Sequence, residues 1–309
     1  MKSVQQQTDR TTVTRSDHDG DITIEQMVFK AQSGDRKALE ILVRDIQKNI
    51  YNLAIRFLWH PQDAEDATQE ILIRVITGLG SFRGESGFLT WVYRVAMNAL
   101  LTLRKQRIEL QSIDFDQFAA NLASGISPVD VDVEDAPADQ LLIEEVKIGC
   151  TLGMLQCLDR AHRMAYILGD IMETEHLYAA AMLGISPAAF RKRLSRSRAV
   201  ILSFMQSHCG LIEPNNRCRC QHRIDTAIQC GHVNPNQLLF ASSLQKARQF
   251  PQVLEKIRQL EMTRRVAALY QSHPEAATSD QFIDWLKKLI EVPDDMQMQV
   301  SVENKHIQS

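Results

Sequence analysis

An acidic stretch, residues 108–140, separates two blocks of helical periodicity and limits what this chain can fold into. Its sequence, IELQSIDFDQFAANLASGISPVDVDVEDAPADQ, contains eight acids and two prolines but no lysine or arginine. Charge repulsion and proline favour an extended segment over a packed one. Residues 22–107 and 141–206 carry apolar residues at spacings of three and four, the pattern of amphipathic helices. We therefore predict two small helical domains joined by an acidic flexible linker.

Composition and periodicity assign the rest of the chain. Residues 1–21 are polar and predict a disordered N-terminal arm. Residues 207–236 are rich in Cys, His, Asn and Pro, which interrupt regular structure. Residues 237–309 return to helical periodicity and finish in a polar tail, so we predict a helical C-terminal extension. The sequence has no strand pattern of any length, and the predicted fold class is all-α.

Composition also excludes several classes of protein. The chain of 309 residues is 44% hydrophobic and 24% charged, which is typical of a protein with buried cores. It contains no apolar run long enough to cross a membrane, and its polar start lacks the apolar core of a secretory signal. Six cysteines without an export signal indicate a reducing compartment, so we expect a cytoplasmic protein without a membrane partner. No phosphate-binding glycine loop, nucleophile elbow or zinc-protease motif is present, and we expect no enzyme.

One helix of the second block carries a dense basic face. Ser186 followed by Pro187 is typical of a helix start. The apolar residues Phe190, Leu194 and Ile201 then recur at helical spacing and predict the inward face. The opposite face and its flanks are the candidate DNA-binding residues: Ala188, Arg191, Lys192, Ser195, Arg196 and Arg198.

The residues before this helix complete a helix-turn-helix pattern. The stretch TEHLYAAAMLGIS, residues 174–186, predicts a short helix followed by a turn at Gly184. In such a motif the second helix enters the major groove, with its first turns against the base edges. A basic helix face that is merely solvated is the alternative interpretation.

Two segments of the first block resemble a known family. They are DAEDATQEILIRVI, residues 63–76, and SFRGESGFLTWVYRVAMNALLTLRK, residues 81–105. Both resemble the core-binding and promoter-melting part of the sigma-70 family, in its extracytoplasmic-function (ECF) group. The helix-turn-helix resembles the domain of the same family that recognises the −35 promoter element. The resemblance implies an RNA polymerase sigma factor with core polymerase and promoter DNA as partners, and an anti-sigma factor as a further candidate partner.

The first of these segments predicts an amphipathic helix with an acidic outward face. Leu72 and Val75 belong to its inward face. The resemblance implies that core polymerase docks on the opposite face. The candidate core-binding residues are Asp63, Asp66, Gln69 and Glu70. A solvated acidic face near a helix N-terminus is the alternative.

The second segment predicts a loop and then a helix that begins near Gly87, with Phe88 and Val92 inward. The resemblance implies that this loop and helix hold a base flipped out of the −10 element, with Phe82, Tyr93 and Asn98 lining the pocket. Cations suit phosphates, and aromatic rings stack on unpaired bases. The candidate −10 contacts are Phe82, Arg83, Trp91, Tyr93, Arg94, Asn98 and Lys105. Trp91 and Tyr93 are equally consistent with ordinary core or surface aromatics.

The net charge of −3 averages these opposed features. A protein that binds DNA only as part of a larger enzyme need not be basic overall. The resemblance implies that the acidic linker threads the RNA path of the polymerase, where carboxylates mimic nucleic acid. A plain disordered spacer is the alternative.

The C-terminal third departs from the family, whose short members end near the recognition helix. Its candidate metal ligands are Cys209, Cys218, Cys220 and Cys230. Their spacing differs from that of a zinc finger or ribbon, so structural zinc, redox-active thiols and reduced cysteines in a loop all remain open. No other cofactor is predicted. The helices that follow could pack back as a built-in regulator, bind a partner or cap the fold. The alternative function for the whole chain is a helix-turn-helix regulator that acts without core polymerase.

Overall fold

The computed structural model describes residues 23–103, 114–125 and 137–291. Within these ranges the chain folds into helices and forms no strand apart from an isolated bridge between Cys209 and Cys218. The prediction of an all-α fold is confirmed. The helices are α1 (Ile24–Gln32), α2 (Arg36–Leu58), α3 (Pro61–Gly78), α4 (Phe88–Thr102), α5 (Phe115–Ser124), α6 (Pro137–Leu155), α7 (Arg160–Tyr166), α8 (His176–Met182), α9 (Pro187–His208), α10 (Ile224–Gln229), α11 (Leu244–Gln259), α12 (Met262–Gln271) and α13 (Asp280–Glu291).

Helices α1–α4 form what we call the first unit. Thr23 and Gln26 form a capping box at the start of α1, and Asp35 caps α2 through the backbone N–H of Ala38. These caps satisfy amides that have no partner inside the helix. The middle of α2 is buried on all sides by its neighbours, because it packs against α1, α3 and α4.

Helices α6–α9 form the second unit. Asp159 caps α7, and a π-helical turn, Ile167–Ile171, follows that helix. Gly184 has a φ of +64°, which a residue with a side chain rarely adopts, and it makes the turn between α8 and α9. The Ser186 hydroxyl accepts a hydrogen bond from the backbone N–H of Ala189 at 3.2 Å. The helix start predicted from Ser-Pro therefore lies where the sequence placed it.

The acidic linker differs from the prediction of an extended spacer. Residues 115–124 within it form α5, which begins with a capping box between Asp114 and Gln117. The rings of Phe115 and Phe118 pack against Phe204 of α9, with centroids 5.3 and 5.7 Å away. A local cap and two aromatic side chains outweigh charge repulsion here. The other parts of the linker, the predicted N-terminal arm and the polar tail lie outside the described residues.

The two units share one continuous buried core, in which α2 contacts α6, α7 and the π-helical turn, and α4 contacts α7 and α8. Two arginines of α7 reinforce this junction. Arg163 is 3% exposed and donates to the carbonyl oxygens of Phe57 at 2.8 Å, Leu155 at 3.0 Å and Leu158 at 3.0 Å. Arg160 donates to the carbonyl of Leu101 at the end of α4, at 3.1 Å. Both guanidinium groups thus satisfy carbonyls that helix ends leave without partners.

The C-terminal extension, residues 209–291, packs back onto both units. Helix α11 lies against α6, α12 lies against α9 and the π-helical turn, and α13 lies against α2. The predicted irregular segment 207–236 contains the end of α9, a short 3₁₀ turn and α10. In the described part of the chain, no helix combines the length and apolar content that crossing a bilayer requires.

Candidate nucleic-acid interface

The predicted basic face of α9 is exposed along its whole length. Its inward residues, Phe190, Leu194 and Ile201, are at most 1% exposed. Their burial fixes the rotation of the helix, so the side chains on the opposite face point to solvent. All six candidate residues of that face are exposed: Ala188, Arg191, Lys192, Ser195, Arg196 and Arg198.

Arg198 has a partner within the protein, which the sequence did not indicate. Its Nε donates to both carboxylate oxygens of Asp170, at 2.8 and 2.9 Å, and its Nη2 donates to the same carboxylate. Asp170 is only 7% exposed, so the guanidinium neutralises a buried acid. The hydrogen bonds to Asp170 raise the pKa of Arg198. Arg198 therefore forms a structural ion pair, and its place among the candidate DNA-binding residues stays a prediction.

The loop before α4 and the first turns of α4 enclose an aromatic cluster. The ring of Phe82 lies 5.4 Å from Trp91 and 5.8 Å from Phe88. The Gln32 amide of α1 donates to the Phe82 carbonyl at 2.8 Å and holds the loop against the first unit. Gly84, with a φ of +72°, makes the turn that exposes the neighbouring Arg83. An aromatic edge beside an exposed arginine is a surface on which an unpaired base can stack.

Three candidate residues of α4 share one side of that helix. At 100° per residue, Arg94 and Asn98 lie within about 60° of Trp91 around the axis. Both are exposed, whereas Trp91 is half-buried against the loop. An arginine, an amide and an aromatic ring on one face can contact phosphate and base together. Lys105 lies outside the described residues.

Tyr93 lies on a different side of α4 from Trp91. It lies about 200° around the helix from Trp91, because the two positions are only two residues apart. Its ring packs towards the core, and burial raises the pKa of its phenol, an effect that the charge of Arg56 opposes. The base pocket that the resemblance implies, with Phe82, Tyr93 and Asn98, stays a prediction.

The predicted docking helix α3 has the acidic face that its sequence indicates. Asp66 is exposed and accepts a hydrogen bond from the Gln62 amide at 3.2 Å. Glu70 forms an ion pair with Arg74 one turn later. Asp63 and Gln69 are half-buried on the same side of the helix. This face is accessible to a partner, although Arg74 already balances one of its charges.

Comparison with known proteins assigns the first unit to a family. The Sigma-70 region 2 family matches residues 42–108. The chain is 43% identical to the RNA polymerase sigma-H factor of Pseudomonas aeruginosa over 74 residues, which are 24% of this chain and 38% of that protein. It is 30% identical to the ECF RNA polymerase sigma-E factor of Escherichia coli K12 over 182 residues, 58% of this chain and 93% of that protein. The sigma-E factor of Salmonella typhimurium LT2 matches over the same shares.

The chain belongs to the ECF group of the sigma-70 family. The match to sigma-E extends over nearly all of that protein, so it includes much more than the first unit. The alternative of a regulator unrelated to sigma factors is not favoured.

Glu65 is a buried acid of this sigma factor that sequence reasoning missed. It lies on α3 beside Asp66 and is 6% exposed. Its carboxylate accepts hydrogen bonds from the backbone N–H of Ser279 and from the Ser279 hydroxyl, the latter at 2.7 Å. The partner is 214 residues away along the chain. No local pattern could have revealed this contact, because glutamate and serine are residue types usually found at the protein surface.

The four cysteines predicted as candidate metal ligands do not all lie together in the structure. Cys209, Cys218 and Cys220 gather near Cys150 of α6, whereas Cys230 is exposed at the end of α10. Burial raises the pKa of the gathered thiols, that of Cys218 to about 11, so they are neutral at physiological pH. Across the described ranges, no three His, Cys, Asp or Glu side chains are placed to hold a metal ion. Cys209, Cys218 and Cys220 are thus packed near Cys150, and Cys230 does not belong to this group.

The two candidate DNA surfaces of this sigma factor lie on either side of one short helix. The Arg94 guanidinium of α4 donates to the carbonyl of Ala181 in α8 at 3.3 Å. Helix α8 also packs against α9, so one short helix separates the face of α4 from the basic helix. One residue of the predicted −10 surface, Arg94, is therefore hydrogen-bonded to the second unit.

Proposed function

We propose that this sigma factor brings core RNA polymerase to selected promoters and opens the DNA there. Arg191, Arg196 and the smaller residues between them contact the −35 element in the major groove. The face of α4 and the preceding loop capture unpaired bases of the −10 element. Opening is driven by the binding energy of those bases, which offsets the few kcal/mol lost in unstacking each one. No bond is made or broken, so the role is not enzymatic.

Support for this proposal comes mainly from the co-occurrence of three surfaces in one chain. The first unit matches Sigma-70 region 2 and carries both the acidic face of α3 and the aromatic and cationic face of α4. The second unit places an exposed basic face on a helix with a capped start. A regulator that only occupies an operator has no use for the first two surfaces. We also propose a bacterial cytoplasmic location, where core polymerase acts, and an anti-sigma protein as a regulatory partner.

Binding to core polymerase tests the proposal. The full-length protein is mixed with bacterial core enzyme and analysed by size-exclusion chromatography, with Asp66→Arg/Glu70→Arg as the test variant. We expect co-elution of the natural sequence and at least a tenfold weaker interaction for the variant, because two attractive charges become repulsive. Glu25→Arg, which changes an exposed acid on α1, is the matched control and should bind normally.

Two results would count against the proposal in different ways. If the natural sequence never co-elutes with core polymerase, the sigma-factor function itself is wrong. If the double variant binds as well as the control, the function stands and the docking face lies elsewhere.

A further inference from the structure

The C-terminal residues 262–291, here called the strap, are anchored first in the second unit. The Tyr270 hydroxyl of α12 donates to the carbonyl of Thr151 at 2.8 Å, and its ring lies 5.7 Å from Tyr166. The next residue, Gln271, donates to the backbone carbonyl of Asp170 at 2.6 Å. Tyr270 is fully buried, so this end of the strap is part of the core of the second unit.

The middle of the strap crosses from the second unit to the first. His273 makes a 3.1 Å hydrogen bond with the Thr151 hydroxyl of α6. Three residues later, the backbone N–H of Ala276 donates to the side-chain oxygen of Asn52 in α2, at 3.1 Å. Glu275 between them forms an ion pair with Lys48 of α2. Four residues of chain, 273–276, therefore link the two units directly.

The end of the strap is anchored in the first unit. Ser279 donates two hydrogen bonds to the buried carboxylate of Glu65 in α3. Phe282, in the first turn of α13, is 1% exposed and lies 6.3 Å from Tyr51 of α2. A hydrogen-bonded buried charge and an enclosed aromatic ring are among the stronger single contacts in a protein. The strap is thus held firmly at both ends.

The positions of the two units in this structure are incompatible with simultaneous binding of the −10 and −35 elements. Helices that pack side by side have axes about 8–10 Å apart, so α4 and α9, separated by α8, lie within about 20 Å. The −35 and −10 elements, by their names, are about 25 base pairs apart, which is about 85 Å of B-form DNA. The two units must therefore separate before both elements are bound. Separation also has to free Arg94 from the Ala181 carbonyl.

We propose that the strap is an autoinhibitory element that holds the two DNA-binding units closed and has to leave α2 and α3 before the promoter is bound. This inference rests on the proposed sigma-factor function. Glu65, the anchor of Ser279, is adjacent in sequence to Asp66 on the candidate docking face. Core polymerase that docks on that face contacts the helix at the strap's anchor and favours its release. Release then links polymerase binding to the opening of the units.

Single-molecule energy transfer in the absence of polymerase tests the strap. Dyes are introduced through unnatural amino acids at Lys30 of α1 and Ala199 of α9, which are both exposed. We expect one high-efficiency population for the natural sequence. Glu65→Gln, which keeps the shape but weakens acceptance of the Ser279 hydrogen bonds, should raise the open, low-efficiency fraction at least tenfold. Glu25→Gln makes the same charge change away from the strap and should leave the distribution unchanged.

A second variant controls for the possibility that Glu65→Gln opens the units by unfolding part of the protein. Ser279→Ala removes the hydroxyl's hydrogen bond to Glu65 and the one it accepts from the Phe282 amide at the start of α13, and it should also raise the open fraction. If Glu65→Gln loses helical circular dichroism, Ser279→Ala alone decides. An open fraction equal to that of the control in the folded variants would overturn the proposal. Because no polymerase is present, this outcome is distinguishable from failure of the sigma-factor function, which the co-elution experiment detects.

Discussion

His273 shows how one residue of the strap makes stability depend on pH. Burial, with the nearby positive charges of Lys147 and Arg56, holds the pKa of its imidazole well below the usual value. The neutral ring forms the hydrogen bond with Thr151. Because the folded state resists protonation, the unfolded chain binds more protons below the ordinary histidine pKa of about 6.5. The contribution of this residue to stability is therefore complete above about pH 6.5 and is lost as the pH falls below it.

The pH prediction compares the natural sequence with His273→Gln. Between pH 7.5 and 5.5, the unfolding free energy of the natural sequence should fall by about 1.3 kcal/mol more than that of the variant. Urea unfolding at the two pH values measures the difference. His232, whose pKa is also lowered by burial, is present in both proteins, so its effect cancels. Equal losses in the two proteins would show that His273 does not titrate differently on folding.

Arg191 and Arg198 lie on the same helix and should behave differently when truncated. Arg198→Ala leaves the buried Asp170 without its partner, so we expect a loss of about 1–3 kcal/mol in unfolding free energy. Arg191→Ala should change stability by less than about 0.5 kcal/mol, because the side chain is exposed. It should instead weaken binding of a −35 duplex by the holoenzyme by about 1–3 kcal/mol. Equal stability of the two variants in urea would contradict the structural assignment of Arg198.

At the scale of elements, the two units are joined by hydrogen bonds at helix C-termini. The C-terminal carbonyls of α2 and α6 face the same guanidinium, that of Arg163, which also lies 5.1 Å from the ring of Phe57. A planar group with several donors can satisfy carbonyls in different directions, which an ammonium cannot. The junction between the units therefore depends on a residue that sequence analysis treated as an ordinary helical arginine.

We expect Arg163→Met to lower the unfolding free energy by about 2–4 kcal/mol. Methionine fills much of the volume but removes one donor from each of four carbonyls, those of Phe57, Leu155, Gln156 and Leu158, and lost hydrogen bonds at buried carbonyls are costly. Arg44→Met, which removes an exposed ion pair with Glu40, is the control and should cost less than about 0.5 kcal/mol. Thermal or urea unfolding measures both variants. A loss no larger than that of the control would mean that water replaces the guanidinium at these helix ends.

Local sequence patterns predicted the start of α9 and the faces of α3 and α9. Features that depend on tertiary contacts were not predicted. The start of α9 and its basic face follow from Ser186, Pro187 and the apolar spacing, all within a few turns of one helix. The acidic face of α3 follows in the same way. Helix α5 was missed because charge repulsion was given more weight than the packing of Phe115 and Phe118. The ion pair between Arg198 and Asp170 and the anchor between Glu65 and Ser279 join residues on different helices or segments, 28 and 214 residues apart, so no local pattern predicts them.

At the scale of the whole molecule, surfaces of opposite charge coexist, so a DNA-binding protein can have a net charge of −3. The basic face of α9 and the acidic face of α3 lie on different units. Arg94 on the face of α4 is hydrogen-bonded to α8 but remains exposed. We expect the free molecule to bind DNA weakly and non-specifically, because its net charge is slightly negative. Sequence-specific binding is then expected only with core polymerase present.

Promoter opening tests the central claim most directly. DNA fragments are selected from a random library by the protein together with core polymerase, and permanganate is used to detect unpaired thymines in them. We predict reactive thymines near the −10 position only when both the protein and core polymerase are present, and their loss with Trp91→Ala/Arg94→Ala. Selected DNA that the protein binds equally well alone, with no reactive thymines in the complete mixture, would contradict the account.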